Sequence, residues 1–347
     1  MSKCLPVFDK ILTMTSSTAI LVASNSPERI ERCFQCLSVQ TVPFDRVVLV
    51  VWGESSHQKQ EVVTRARGAI KNFEVVGSGS DIRPETNLNL GLAHLSYFPP
   101  GYVAIINDDT FLHERWNETV QEAAQCHRTN TAYATVVFFQ NCPGLVQSAG
   151  HILKDARPHD QQYKVAIEQL SNHSKPLCPC GNAAFVPWKL IEKIWEKDGE
   201  VWDAKFERWQ SCFDFGLKMW LCGFGCSLIP SAQALHNGYL DNILAGRRIT
   251  DEDVKKQLRS RLLLYSKFYP LEERSQAMGL LRASVERWAQ RGYPGAADDI
   301  KGDRIRSIYD IAKNEFLRLR EMVNPVWLDL MGRLDGQTRR SLLFGSP

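Results

Sequence analysis

No run of apolar residues in this 347-residue chain approaches the roughly 20 that a membrane-spanning helix requires. The first residues, MSKCLPVFDKILTMTSS, also lack the long apolar stretch and small-residue cleavage site of a secretory leader, which predicts a cytoplasmic protein. Charge of one sign is scarce as well. With 42 Lys and Arg against 39 Asp and Glu the net charge is +3, and nothing in that balance points to a nucleic acid partner. Internal repeats and low-complexity segments are absent. Ten cysteines without a leader read as reduced thiols. The sequence has no two CxxC pairs, but CPC at 178–180 and CGFGC at 222–226 leave a zinc-stabilised interaction protein, held by Cys178, Cys180, Cys222 and Cys226, as an alternative.

What is present is a large apolar fraction, 44%, enough for a sizeable core. TAILVAS (18–24) is a continuous apolar run, as expected of a strand buried on both faces. NSPERIERCFQCLSVQ follows it, with Ser26 placed to cap, Pro27 at the first helical position, and Ile30, Cys33, Phe34 and Leu37 on one face. RVVLVV, FEVV and YVAII read as further strands, with helices at QKQEVVTRARGAI and NLNLGLAHL between them. This alternation predicts an α/β fold with a mostly parallel central sheet. AYATVVFF, AAFV and FGCSLI add strands separated by long irregular segments. Beyond about residue 240 the pattern turns helical, with Val254, Leu258, Leu262 and Tyr265 on one face, then Met278, Leu281, Val285 and Trp288, then Ile305, Ile308, Ile311 and Phe316. The expected division is therefore 1–240 and a helical region at 241–347.

Ligands of open parallel sheets sit beyond the carboxyl ends of the strands. Three such ends stand out: Ser24 and Asn25, the WGESS segment with Glu54, and NDDT at 107–110. Adjacent acids leaving a buried strand repel each other, so a cation or several hydrogen-bond donors is expected beside them; oxygen ligands of this kind suit Mg2+ or Mn2+. An Asx turn before the next helix is the competing reading.

The ordered array ILVASNSPERIERCFQCLSVQTVPFDRVVLVVWGESS, NLGLA, AIINDDT, GNAAFVPWKLIEKI, FDFGLKMWLCGFG and LHNGY resembles the family 2 glycosyltransferases of the GT-A fold, over about residues 17–240. The pattern is nearest to members that add rhamnose or galactofuranose. The resemblance implies an inverting, metal-assisted transfer of a sugar from a UDP- or dTDP-linked donor to a hydroxyl of a saccharide or lipid-linked glycan. It implies that Ser24, Asn25, Glu54, Arg83 and Asn89 line the nucleotide pocket, with Asp108 near the ribose, Asp109 on the metal and His236 completing the metal shell. Glu54 stands where Asp or Asn is usual. Arg247 or Arg248 of AGRR would reach the diphosphate. SAGH (148–151), PCGNAAF (179–185) and Trp188 would fall in acceptor-binding loops.

The chain departs from that family at RWQSCFDFGLKMW (208–220). Members carry an acidic pair here, one acid of which is the general base; in this register Ser211 and Cys212 occupy the pair, and Asp214 takes the place of a third acid. Asp214 as base, Glu207 reaching in from upstream, a Cys212 thiolate, and a nucleotide-sugar binder without catalysis are the open alternatives. Asp214 also fits a helix cap or first-turn acid. Trp188, Trp195, Trp202 and Trp209 recur every seven residues, which reads as core with at most one facing a sugar. The C-terminal region holds 20 Lys and Arg against 15 Asp and Glu, an excess that fits a solvated face or peripheral membrane contact, and its helices are candidates for homo-oligomer contacts.

Overall fold

A computed structural model describes residues 17–22, 26–53, 57–77, 79, 83–126, 130–171, 175–207, 210–237, 248–294 and 300–345. Its first half alternates strands and helices: β1 (Ser17–Val22), α1 (Pro27–Ser38), β2 (Arg46–Val51), α2 (His57–Ala69), β3 (Phe73–Gly77), α3 (Pro84–Leu95) and β4 (Tyr102–Asn107). Val47 to Val50 of β2 are all buried, which is why this strand is an unbroken apolar run. In α1, Pro27 opens the helix and Ile30, Cys33, Phe34 and Leu37 form its buried face.

The chain then adds β5 (Thr110–Leu112), α4 (Trp116–Cys126), β6 (Thr131–Phe139), β7 (Cys142–Ser148), β8 (His151–Lys154), β9 (Arg157–Asp160), β10 (Ala183–Pro187), α5 (Trp188–Asp198), α6 (Ser211–Leu221) and β11 (Gly225–His236). Among the described residues the main sheet runs β3-β2-β1-β4-β10-β6-β11-β5, with β7 beside β6. The four strands from β3 to β4 are parallel, as alternation with helices dictates. From β10, which is antiparallel to both β4 and β6, the sheet is mixed. β8 and β9 form a separate hairpin.

Helices cover both faces. One apolar cluster joins α1, α2 and α4 to the sheet, with Tyr102 stacked on Phe185 at 4.8 Å. The other continues from β2 and α3 through α5 and α6 into the C-terminal helices α7 (Asp251–Phe268), α8 (Leu271–Arg291), α9 (Asp303–Leu319), α10 (Val326–Gly332) and α11 (Gly336–Phe344). Val254, Leu258, Leu262 and Tyr265 are buried as their spacing predicts, whereas Ile311 of α9 is exposed. Trp188 and Trp202 are core residues and Trp195 packs against them; Trp209 lies outside the described residues. Among the described residues no helix is long and apolar enough to cross a membrane.

Candidate active site

β4 delivers Asn107 to the carboxyl edge of the sheet, and Asp108 and Asp109 form the turn that follows. The chain then doubles back as β5, which pairs antiparallel with the last residues of β11 in the register His236↔Thr110 and Leu235↔Phe111. That register sets His236 beside the turn. His236 Nε2 lies 3.2 Å from Asp109 Oδ1, and the Asn237 amide donates to the Asp109 carbonyl at 3.2 Å. The two acids are nearly enclosed, Asp108 at 7% and Asp109 at 9% exposure. Arg29, in the first turn of α1, places Nη1 3.5 Å from Asp109 Oδ2.

The other edge of the His236 ring meets two amides. Nδ1 lies 3.0 Å from Gln147 Oε1 and 3.2 Å from Asn182 Nδ2, and Asn107 Nδ2 donates to Asn182 Oδ1 at 2.7 Å. Both tautomers therefore find a partner. With its proton on Nε2 the ring donates to Asp109 and accepts from Asn182; with its proton on Nδ1 it donates to Gln147 and leaves Nε2 bare to bind a cation. Among the described residues no three His, Cys, Asp or Glu side chains are placed to share a metal ion. One carboxylate oxygen and one imidazole nitrogen converging at a strand end nonetheless suit Mg2+ or Mn2+, which take their remaining oxygens from substrate phosphate and water.

The remaining expected residues fall in different places. Ser24, Asn25, Glu54 and Arg247 lie outside the described residues. Arg83 is exposed at the start of α3, and Arg248 is exposed ahead of α7. Asn89 is engaged within the fold. Its Oδ1 accepts from the amides of Val201 and Trp202, and its Nδ2 donates to the Trp202 carbonyl at 2.7 Å, which ties α3 to the chain after α5. Glu207 pairs with Arg259 of α7 at 2.9 Å and with Lys256 at 3.6 Å. Burial would raise its carboxyl, but those two cations hold it below the usual range.

Asp214 lies in the first turn of α6 with no exposed surface. Its carboxylate sits 2.9 Å from Lys218 Nζ and 2.7 Å from Lys267 Nζ. Lys218 also meets Asp198 at 2.6 Å, and Lys267 meets Asp203 at 2.8 Å, which closes a buried cluster of three carboxylates and two ammonium groups. These are the surroundings of a structural ion pair. A base must be reachable by the hydroxyl it deprotonates, and this carboxylate is sealed.

Cys212 is half-buried, and its carbonyl accepts from Cys178 Sγ at 3.1 Å. The thiols of Cys178, Cys180, Cys222 and Cys226 do not gather with other ligands into a zinc centre among the described residues. Burial raises the Cys178, Cys222 and Cys226 thiols well into the protonated range, as expected of packing residues. Four residues of the site were given no role of their own in the sequence: Arg29 and Gln147, and also Asn107 and Asn182, which lie within the NDDT and PCGNAAF segments. Arg29 carried a usable signal, a cation in the first turn of a helix that follows a strand end.

No family model matches the chain, and no curated protein is significantly similar to it in sequence. Its fold is nonetheless shared by solved structures. GalNAc-T7, crystallised with UDP, GalNAc and Mn2+, superposes with a TM-score of 0.57 at 9% identity over 90% of this chain and 59% of that one. S. aureus TarS gives 0.55 at 15% identity over 94% of this chain and 54% of that one. The mannosyltransferase PcManGT from Pyrobaculum calidifontis, in complex with GDP-Man and Mn2+, gives 0.50 at 13% identity, over 87% and 86%. This chain thus spans somewhat more than half the length of the first two. What is shared at such identity is the fold, of GT-A type.

Proposed function

We propose that the chain transfers a sugar from a nucleotide diphosphate donor, UDP- or dTDP-linked, to a hydroxyl of a saccharide acceptor, with inversion and with a divalent cation. The observation that carries this reading is the apposition of Asp109 and His236 at the carboxyl edge of a GT-A sheet, at 3.2 Å, with a second tautomer ready to free the ligating nitrogen. Two of the structural neighbours hold Mn2+ together with UDP or GDP-Man, which is in keeping with such a site.

Asp109 and His236 would hold the cation, and Gln147 would keep the ring proton on Nδ1. A Mn2+ or Mg2+ ion held by these two residues would supply charge stabilisation for the departing diphosphate. Arg29, 40% exposed beside Asp109, adds a positive charge facing the same anion. Without a cation, the pair of acids would repel a diphosphate.

A panel of UDP-, dTDP- and GDP-sugars with Mn2+, read by released nucleoside diphosphate, tests activity and donor together. Release from at least one donor, abolished by a chelator, is expected. Asp109→Asn is expected to weaken Mn2+-dependent UDP binding by at least about tenfold in calorimetry. Silence across the whole panel, or unchanged binding by Asp109→Asn, would overturn the reading.

A further inference from the structure

Between the β8–β9 hairpin and helices α7 and α8 lies a cavity of about 430 Å3, whose lining includes Gln147, Asp160, Tyr163, Gln257, Trp288 and Tyr293. Small-molecule sites run from about 300 to 1,000 Å3. Part of the lining suits a carbohydrate, with aromatic side chains for C–H surfaces and amides and a carboxylate for hydroxyls, beside the apolar Phe139, Pro158, Ile249 and Pro294. Trp288 packs against Tyr293 at 4.8 Å, and the Tyr293 hydroxyl donates to Gln257 Oε1 at 2.6 Å, so that wall is held in shape. The cavity adjoins the strand-end site. Gln147, which lines it, is also the residue that meets His236 Nδ1 at 3.0 Å.

The carboxylate in this lining is Asp160, with a side chain 38% exposed. Register explains its position: β8 and β9 pair His151 with Asp160, and His151 Nδ1 lies 3.0 Å from Asp160 Oδ1. The His151 ring in turn packs on Phe213 in the first turn of α6, at 4.9 Å between ring centres. Ser211 and Cys212, the residues standing where the resembled family keeps acids, open that same turn. A carboxylate therefore returns to this neighbourhood from a different strand.

We propose that the cavity is the acceptor site, that it takes a hydroxyl-bearing saccharide, and that Asp160 accepts the proton of the attacking hydroxyl, with His151 positioning it. This rests on the sugar-transfer reading above. In the step, the acceptor O–H bond breaks and its proton passes to the Asp160 carboxylate. The oxygen's electron pair forms the bond to the anomeric carbon. The bond from that carbon to the donor's diphosphate oxygen breaks, and its electron pair leaves with the nucleoside diphosphate. Burial by itself would raise the Asp160 carboxyl, but His151 and Ser148 hold it below the usual range, so it stands ionised at neutral pH.

Two measurements on the full chain test this. In saturation-transfer NMR against methyl α- and β-hexopyranosides, wild type is expected to bind at least one. Trp288→Ala is expected to weaken that binding at least tenfold while Mn2+–UDP affinity stays within twofold. Binding by no glycoside of the panel, or equal binding by Trp288→Ala, overturns the acceptor site. In turnover with the active donor, Asp160→Asn is expected to lower the rate about 10^2- to 10^4-fold with saccharide and UDP binding retained, and Asp160→Glu to recover part of it. A rate for Asp160→Asn within threefold of wild type overturns the base assignment. Loss of rate accompanied by loss of both ligands, with no rescue by Asp160→Glu, overturns it too. A wild-type chain that binds a glycoside at Trp288 yet turns over no donor sinks the transfer reading and the base role with it, while upholding the cavity as a saccharide site.

Discussion

Asp214 is a carboxylate that water does not touch, held between Lys218 and Lys267. Ion pairs of this kind contribute little net stability when intact, because desolvating the charges offsets their attraction. Removing one member leaves its partners uncompensated and costs about 3–5 kcal/mol. Asp214→Asn is therefore expected to lower the unfolding free energy by about that amount in urea melts, with Mn2+–UDP affinity of the folded protein unchanged. Stability kept and turnover lost would instead restore Asp214 as a base. The sequence pointed to Asp109 because NDDT leaves an apolar strand, whereas His236 came only from the family resemblance, since the strand around it read as ending near Ile229. It could not place Asp214, because Lys267 arrives from α7, on the far side of β11 in the chain. Asn89 was unreadable for the same reason: its partners are the backbone of residues 201 and 202, and no local pattern foretells that contact.

At the scale of elements, the parallel half of the sheet was legible as short apolar runs alternating with helices; β2 and β4 are buried along most of their length, while β3 is half-buried. The hairpin β8–β9 was not. β9 reads Arg-Pro-His-Asp and is half-buried or exposed along its length, so neither hydrophobic alternation nor an apolar run marks it. β11 extends well past FGCSLI because Pro230, which argues for a strand end, falls where the pairing with β6 shifts register between Ile229 and Gln233. Without that continuation His236 would not reach Asp109. Helix α6 shows how closely its neighbours approach. A Cβ on Gly216 would lie 2.6 Å from Cys178 Cβ and 2.8 Å from its sulfur. Alanine is the better helix former by about 1 kcal/mol, but overpacking costs about 1–3 kcal/mol and should prevail here. Gly216→Ala is thus expected to lower the thermal midpoint; an unchanged or higher midpoint would show that the contact relaxes freely.

For the molecule as a whole, the C-terminal helices are continuous with the sheet's own core, and Lys267 reaches from α7 to Asp198, Asp203 and Asp214. Burial would raise the Asp203 carboxyl, but Lys267, Lys205 and Lys218 depress it strongly. A carboxyl depressed on folding contributes stability that is complete above its unfolded value, about 3.9, and is lost as pH falls toward the folded one. Asp160 and Asp198 are depressed as well, in each case against burial and by neighbouring cations. His151 works in the complementary sense. Burial opposes its charge, yet Cys180 and Asp160 raise it, so its contribution is already complete below about 6.5. Urea midpoints are accordingly expected to hold from pH 7 down to about 4 and to drop steeply below, with a shallower drop in Asp203→Asn. A steady decline between pH 7 and 5 would contradict this assignment. The helical character of residues 251–344 was plain from spacing, but the burial of Lys267 among them was not, because a lysine on an apolar face reads as a surface residue until its acids are located.

The buried cluster also limits how such a chain can change over generations. Its five charges come from α5, α6, α7 and the segment between the first two, and each touches at least one other. Any single replacement passes through a molecule with an orphaned charge in its interior, so small steps are barred although a wholesale exchange for apolar side chains of matching volume is not. The set is inherited or discarded as a block, and with it the way the C-terminal helices are seated on the sheet.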